Sequence, residues 1–460
     1  MVTPSQTTTT PGPIPASQAT QPGPMAWNLN PSVDLTVYRN GQILAPLSVD
    51  QDWSLLPVPG YPGWFNLSIF VPETQDTELF ILGVPSTPAN IPAPLLTVFH
   101  QSNASHGDVI YNTSFLAETQ ARGWYMVAPL ARGPIAPETA AFSHKVSQVN
   151  ARAAMRWVVD HYPIDSDRIY GVGFSGGGAL AVSMASRYLD PREPMFAALV
   201  DHTGVVDMAD AYQFSDAAGQ AFFSLLYGGA PSAVPFEFAS ASVLQLDANH
   251  LWVAGGKHMA ANYAYLPVQV FYSLQDPQFH LIQQNSQLFD WLSIHGTGPV
   301  QLNTSNYAGH SWAALDEFQV CDWLSGYQLQ LPLSGDLLMD RDARFLYFDL
   351  VQDAPGTFSK VQFSLTPLSN SLSLLGLSNV QRLTASPSEM GLSTAPGLTL
   401  HMQLETSDGG DVVRFRDVLA APVAVLRDGV ANFSWTYVPG SQRLEVLESS
   451  LGVHDWTLQF

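Results

Sequence analysis

Gly173-Phe174-Ser175-Gly176-Gly177 sets a serine among small residues, a spacing that lets a chain turn sharply enough to lift a hydroxyl out of the fold. A serine hydroxyl is a weak nucleophile. It needs a base to take its proton, and the base needs an acid to hold its tautomer. The chain supplies both downstream, in the order Ser, Asp, His: Asp276 in Ser273-Leu-Gln-Asp276-Pro277 and His310 in Ala308-Gly309-His310-Ser311-Trp312. Ser175, Asp276 and His310 could therefore carry acyl transfer through a covalent serine intermediate, with no metal or organic cofactor. Asp201, which also ends an apolar run, is the rival acid, or else caps a turn. His100, His106 and Asp108 match no metal-ligand spacing and read as structural or loop-positioning residues.

These residues need a frame that delivers them to one edge. From Asn66 the hydropathy pattern alternates strands with helices. Strands are predicted at Asn66 to Val71, Glu78 to Val84, Leu95 to Phe99, Tyr125 to Pro129, Arg168 to Phe174, Phe196 to Val200, Pro267 to Tyr272 and Val300 to Tyr307. Helices are predicted at Phe115 to Gly123, Ser143 to His161, Ala179 to Tyr188 and Leu281 to Leu292, with one more from Trp312 to Tyr327. In the second of these, Val146, Val149, Ala153 and Trp157 form the apolar stripe. Such alternation implies a mostly parallel sheet with helices on both faces, and Ser175, Asp276 and His310 all follow strands at its carboxyl edge. Strand, serine turn and helix together define an α/β-hydrolase. There the Gly176 amide serves the oxyanion, and the loop His100-Gln101-Ser102-Asn103 after the third strand offers the other amide, from Gln101 or Ser102.

Residues 1–26 are rich in Thr, Ser, Gln and Pro and read as a disordered tether. Residues 27–330 form the hydrolase, with 27–65 peripheral and 207–265 a candidate lid insertion. Leu35 to Tyr38 and Gln42 to Leu44 flank Asn40-Gly41, which suits a type I′ hairpin turn. Past Leu333 the period becomes two: Val361, Phe363 and Leu365 form one alternating set, and Leu398, Leu400, Met402 and Leu404 another. Residues 331–460 are thus a C-terminal all-β, sandwich-like domain.

The charge is −21, from 39 acidic and 18 basic residues, and this disfavours nucleic acid as a partner. No apolar run is long enough for a transmembrane helix. The single cysteine, Cys321, forms no intrachain disulfide and reads as a buried thiol. A tether of this composition often joins a cleaved export signal to an exported domain, so a secreted or surface-tethered protein is expected.

Ile164-Asp-Ser-Asp-Arg-Ile-Tyr170 leading into the Ser175 turn, with Asp276-Pro277 and Gly309-His310-Ser311-Trp312, resembles exported esterases of the polyhydroxybutyrate-depolymerase and feruloyl-esterase group. The resemblance spans roughly Asn66 to Leu329. Many members carry His-Gly where this chain has His100-Gln101, and paired cysteines that it lacks. It implies cofactor-free serine ester hydrolysis on polyester or plant-wall esters. The aromatics near the proposed site, Phe174, Tyr307 and Trp312, suit contacts to an apolar or aromatic ester or else belong to the core. The rivals are a serine peptidase of the prolyl-peptidase kind and a non-catalytic binding protein that keeps a hydrolase shell.

Overall fold

A computed structural model describes residues 63–85, 91–134 and 142–460, together with the backbone of three short strands before them. The tether expected over residues 1–26 lies outside the described residues. Strands β1 (Val37–Arg39) and β2 (Gln42–Leu44) pair antiparallel with Arg39 opposite Gln42, the register of a two-residue hairpin. The turn residues Asn40 and Gly41 themselves are outside the described set.

Among the described residues nine strands form the main sheet: β3 (Leu56–Pro57), β4 (Trp64–Val71), β5 (Asp76–Gly83), β6 (Ala93–Phe99), β7 (Tyr125–Pro129), β8 (Ile164–Phe174), β9 (Ala198–His202), β10 (Val268–Gln275) and β11 (Val300–Ala308). Their spatial order is β11-β10-β9-β8-β6-β7-β5-β4-β3. The sheet is antiparallel from β3 to β7 and parallel from β7 through β11. Strand β7 is threaded between β5 and β6, and every later strand adds on the far side of β6. This is the α/β-hydrolase fold.

The helices of the first half are α1 (Asp108–Asn112), α2 (Phe115–Arg122), α3 (Lys145–His161) and α4 (Gly176–Arg187). Then come α5 (Met208–Phe214), α6 (Ala217–Tyr227), α7 (Pro235–Ala241), α8 (Phe279–His295) and α9 (Glu317–Ser325). Successive strand residues point to opposite faces. Leu95 and Ile169 accordingly pack with α3, α4 and α8 through Ala151, Met155, Leu180 and Leu288. Their neighbours Leu96 and Tyr170 pack with α1, α2 and α9 through Val109, Phe115, Val320 and Cys321. Burial pushes the Cys321 thiol up to about 12, which leaves it inert at neutral pH.

Three expectations about the hydrolase need correction. The buried stripe of α3 is Ser147, Ala151, Ala154, Met155 and Val158; the residues expected on it (Val146, Val149, Ala153 and Trp157) sit at its half-buried flank. The helix expected from Trp312 to Tyr327 is two pieces, a 3-10 turn at Trp312–Ala314 and then α9. Asp316 separates them because its carboxylate accepts from the Gln319 amide and starts α9 anew. Strand β9 runs on through Asp201 and His202, so Asp201 lies inside the sheet and not on a loop beyond it.

Between β9 and β10 stand α5, α6 and α7. Their apolar side chains, among them Met208, Phe223, Leu226 and Phe238, gather on Ala179 of α4 and Leu281 of α8. Both of those residues lie in the first turns of helices that begin just after Ser175 and Asp276. The insertion thus rests at the carboxyl edge of the sheet.

The remaining strands form two facing sheets. One has the order β12 (Ser334–Met339), β15 (Ser359–Thr366), β16 (Ser371–Ser378), β18 (Thr399–Thr406), β24 (Gly452–Gln459), β20 (Ala424–Arg427) and β21 (Val430–Ala431). The other has β13 (Ala343–Phe345), β14 (Phe348–Gln352), β17 (Val380–Ala385), β19 (Asp411–Phe415), β23 (Arg443–Glu448) and β22 (Trp435–Val438). Val361, Phe363 and Leu365 from the first sheet meet Leu350, Leu383 and Val413 from the second in one core. Leu398, expected to continue the inward set of β18, precedes the strand and is exposed.

This sandwich is docked firmly. Leu189 and Met195 of the hydrolase belong to the sandwich core. Asn262 takes the Leu338 amide on its side-chain oxygen at 2.7 Å and donates to the Leu338 and Ser186 carbonyls. Arg187 and Asp340 form a buried ion pair across the same junction.

Candidate active site

Ser175 occupies the turn from β8 into α4 with φ 56° and ψ −120°, a backbone conformation rarely adopted by a residue with a side chain. The neighbours must be glycine for steric reasons. A Cβ on Gly173 would lie 2.1 Å from the Gly177 carbonyl oxygen, and one on Gly177 would lie 2.2 Å from that of Phe99. The Ser175 amide donates to the His202 carbonyl at 2.9 Å, which ties the turn to β9.

The loop after β6 closes against this turn. A Cβ on Gly176 would fall 3.2 Å from the Ser102 amide nitrogen, so the bare α-carbon lets the two backbones approach. Gly176 opens α4, where amides have no partner within the helix. Ser102, and not Gln101, is the loop residue beside Gly176. The Gln101 side chain instead accepts from the Trp312 indole at 3.0 Å, and its carbonyl meets His100 Nδ1 at 2.8 Å. His100 Nε2 meets the Leu130 carbonyl at 2.9 Å. Burial holds the His100 imidazole neutral by lowering its pKa, and the ring anchors the loop. Asp108 binds the Ser105 amide, so His100 and Asp108 serve the loop's shape.

Asp276 and His310 come together from the loops after β10 and β11. His310 Nδ1 lies 2.7 Å from Asp276 Oδ2, and the other carboxylate oxygen takes the Gln278 amide at 2.8 Å. The Asp276 side chain is 2% exposed and that of His310 is 21% exposed, so a buried acid holds a base that reaches the surface. The His310 ring lies 4.5 Å from that of Phe174, the residue next to Ser175. The structure thus brings Ser175, Gly176, Ser102, His310 and Asp276 to one place.

Asp201 goes elsewhere. One of its oxygens accepts from the Gly204 amide at 3.0 Å, the other is buried without a partner, and burial raises its carboxyl to about 7. No hydrogen bond or ion pair joins it to His310.

Phe174 and Trp312, expected as substrate contacts, are each 1% exposed. They pack on each other, on Phe115 and on His202, forming the floor beneath the site, and present no face to a substrate. Tyr307 is 41% exposed. Three further exposed apolar residues border the acid and base and escaped the sequence reading: Leu274, Phe279 and Phe214. Phe214 reaches there from α5, and its ring stacks on His280 and meets Phe279 edge-on. For Leu274 and Phe279 a signal existed, since apolar residues flank Asp276 where the strand is ending. For Phe214 there was none.

A family model described as the prolyl oligopeptidase family matches residues 147–326, which contain all three candidate triad residues. No curated protein matches the chain. Solved structures similar to it include an S-formylglutathione hydrolase from Staphylococcus aureus, at 16% identity and TM-score 0.41, covering 57% of this chain and 98% of that one. An acetyl xylan esterase from Paenibacillus sp. R4 is similar at 14% identity and TM-score 0.44, covering 60% and 88%. An acylaminoacyl peptidase from Pyrococcus horikoshii is similar at 15% identity and TM-score 0.39, covering 51% and 36%. The strand order, the serine turn and the family match define a serine hydrolase of the α/β-hydrolase class. Which bond it cleaves is a separate question, which the chain's own residues must answer.

Proposed function

We propose that this protein is a serine carboxylic-ester hydrolase acting on esters with a bulky apolar part. The observation that carries the reading is the 2.7 Å bond from His310 Nδ1 to Asp276, which leaves Nε2 as the free nitrogen of a ring lying beside the Ser175 turn. Nε2 takes the Ser175 proton as the oxygen attacks the ester carbonyl, and Asp276 holds the imidazole in the tautomer this requires. No hydrogen bond joins Ser175 to His310 in the structure; such contacts tighten when substrate binds. The Gly176 and Ser102 amides receive the oxyanion, each worth about 3 kcal/mol to the transition state. His310 then returns the proton to the leaving alcohol and later activates the water that releases the acyl group.

The substrate class rests on the rim formed by Phe214, Leu274, Phe279 and Tyr307. Exposed apolar groups clustered at a site favour an apolar or aromatic partner. A polyester or a feruloyl-type ester fits that rim. The α5–α7 insertion supplies part of it and acts as a lid, and export follows from the Thr-, Ser- and Pro-rich composition of residues 1–26.

One observation favours a second reading, cleavage of a peptide bond: the match to the prolyl oligopeptidase family. One panel separates them: nitrophenyl esters of rising chain length, feruloyl esters, polyhydroxyalkanoate and aromatic polyester films, and acylaminoacyl and prolyl nitroanilides. Ester turnover that improves with apolar bulk is expected. Faster turnover of the anilides would overturn the esterase reading.

A further inference from the structure

We propose that Asp353, Asp408 and Asp411 hold a calcium ion at one end of the C-terminal sandwich. Asp353 directly follows β14, Asp408 lies in the loop from β18 to β19, and Asp411 is the first residue of β19. Their carboxylate oxygens all come within 4.8 Å of one another. The cluster therefore joins the end of one strand to a loop that crosses between the two sheets.

The second observation is the state of Asp411. Along β19 the buried positions are Asp411, Val413 and Phe415, so an aspartate stands where the strand's alternation calls for a core residue. It is fully buried, and both of its carboxylate oxygens lack a hydrogen-bond partner. Asp353 and Asp408, exposed on the other side, are aimed at the same point. A buried carboxylate with neither donor nor counter-charge is among the least favourable arrangements a fold can hold. Glu448, opposite Asp411 on the neighbouring strand, is by contrast fully engaged, taking a two-pronged pair from Arg427, the Trp456 indole and the Ser450 amide. Among the described residues no lysine or arginine pairs with any of the three aspartates.

A cation removes the conflict, and the donors say which kind. All are hard oxygens, with no sulfur or imidazole, so zinc and copper are disfavoured. Calcium binds oxygen at about 2.3–2.6 Å, so ligands on opposite sides of one ion lie roughly 4.6–5.2 Å apart, and its shell is irregular. Magnesium demands a tighter octahedron at about 2.0–2.1 Å. Carboxylates drawn from a strand end and a glycine-containing loop suit the looser shell, with carbonyl groups and water completing it.

The sequence offered no metal motif because Asp353 is distant along the chain from Asp408 and Asp411, and only the sandwich brings them together. The test uses the full chain after treatment with a chelator. Calcium chloride is added alone, and heat of binding and Tm are recorded. One site is expected, with a Tm that rises with calcium concentration. Asp353→Asn and Asp408→Asn change exposed residues and should fold, keep the Tm of the chelated protein, and weaken calcium binding at least about tenfold. Asp411→Asn should raise the Tm of the chelated protein and remove the calcium response. The proposal is overturned by no heat and no Tm change up to millimolar calcium. It is also overturned by binding that survives Asp353→Asn and Asp408→Asn, or by magnesium binding as tightly. Hydrolysis of a soluble ester is followed in the same samples. Its loss or absence bears on the catalytic reading and not on this one.

Discussion

The carboxyl edge of the hydrolase sheet and the acidic end of the sandwich both bury an aspartate, and the two are built to opposite ends. Asp276 has a protein partner for each oxygen, His310 on one and the Gln278 amide on the other. Asp411 has none. Asp201, inside the hydrolase sheet, falls between them, with one oxygen on the Gly204 amide and one free. Burial alone therefore says little about the role of a carboxylate. What distinguishes the three is what faces them: a base and an amide for Asp276, one amide for Asp201, and two further carboxylates for Asp411.

The largest effects test the site at the sheet edge. Ser175→Ala should lower ester turnover by at least about 10⁴ and end labelling by a fluorophosphonate, while Tm stays near that of the native protein. Undiminished turnover in a clean preparation would remove Ser175 from the mechanism. Asp276→Asn should lower kcat by about 10⁴, because the amide favours the wrong imidazole tautomer. Asp201→Asn should stay within about tenfold of native. A reversed ranking would make Asp201 the acid despite its place within β9.

The sandwich gives the next effect. A chain ending at Leu331 would uncover Leu189 and Met195, leave the Arg187 guanidinium without Asp340, and strip Asn262 of its Leu338 partner. Exposed apolar surface of this kind drives association. The shortened protein should aggregate on expression and lose activity on soluble and insoluble esters alike. A soluble truncation, active on a nitrophenyl ester but weak on a polyester film, would show instead that the sandwich serves surface binding.

The hydrolase sheet was legible because its central strands carry continuous apolar runs and its helices are periodic, so every strand of the parallel half fell within a few residues of its expected place. The turn around Ser175 was legible because steric demand leaves glycine as the choice there. What stayed hidden depends on non-local packing. Phe174 and Trp312 read as candidate substrate contacts because aromatic character is visible in sequence, whereas the direction of a ring is not. The same limit hid Ser102's approach to Gly176 and the meeting of Asp353 with Asp411. The period of α3 was right, but its stripe was turned by about one residue, since Trp157 and Val149 look more apolar than the small Ser147 and Ala151 that fit against the sheet.

Floor and rim should respond differently. Phe174→Ala should cost about 3–5 kcal/mol of stability, the range for emptying an aromatic site in a core. Tyr307→Ala should leave Tm within a degree or two and raise KM several-fold for bulky esters, with kcat little changed. A Tyr307 variant that loses stability but not affinity would place Tyr307 with the floor.

The smallest effect sharpens the comparison most, because it asks which state Asp201 keeps. Burial raises its carboxyl from the ordinary 3.8 to about 7 in the folded protein. Between those two values the folded chain holds a proton that the unfolded chain has released. Stability contributed by this group therefore falls as pH rises from about 4 to about 7, and levels off above. The asparagine of the Asp201→Asn variant has nothing to titrate. It can present the same acceptor to the Gly204 amide and an N–H donor where the protonated acid carries its O–H. The Tm of Asp201→Asn minus that of the native protein should thus climb across this window, corresponding to at most about 4 kcal/mol. The other raised acids, such as Glu78 at about 8, cancel in the difference because both proteins contain them. A difference that stays flat from pH 4 to 8 would mean that Asp201 is ionised throughout.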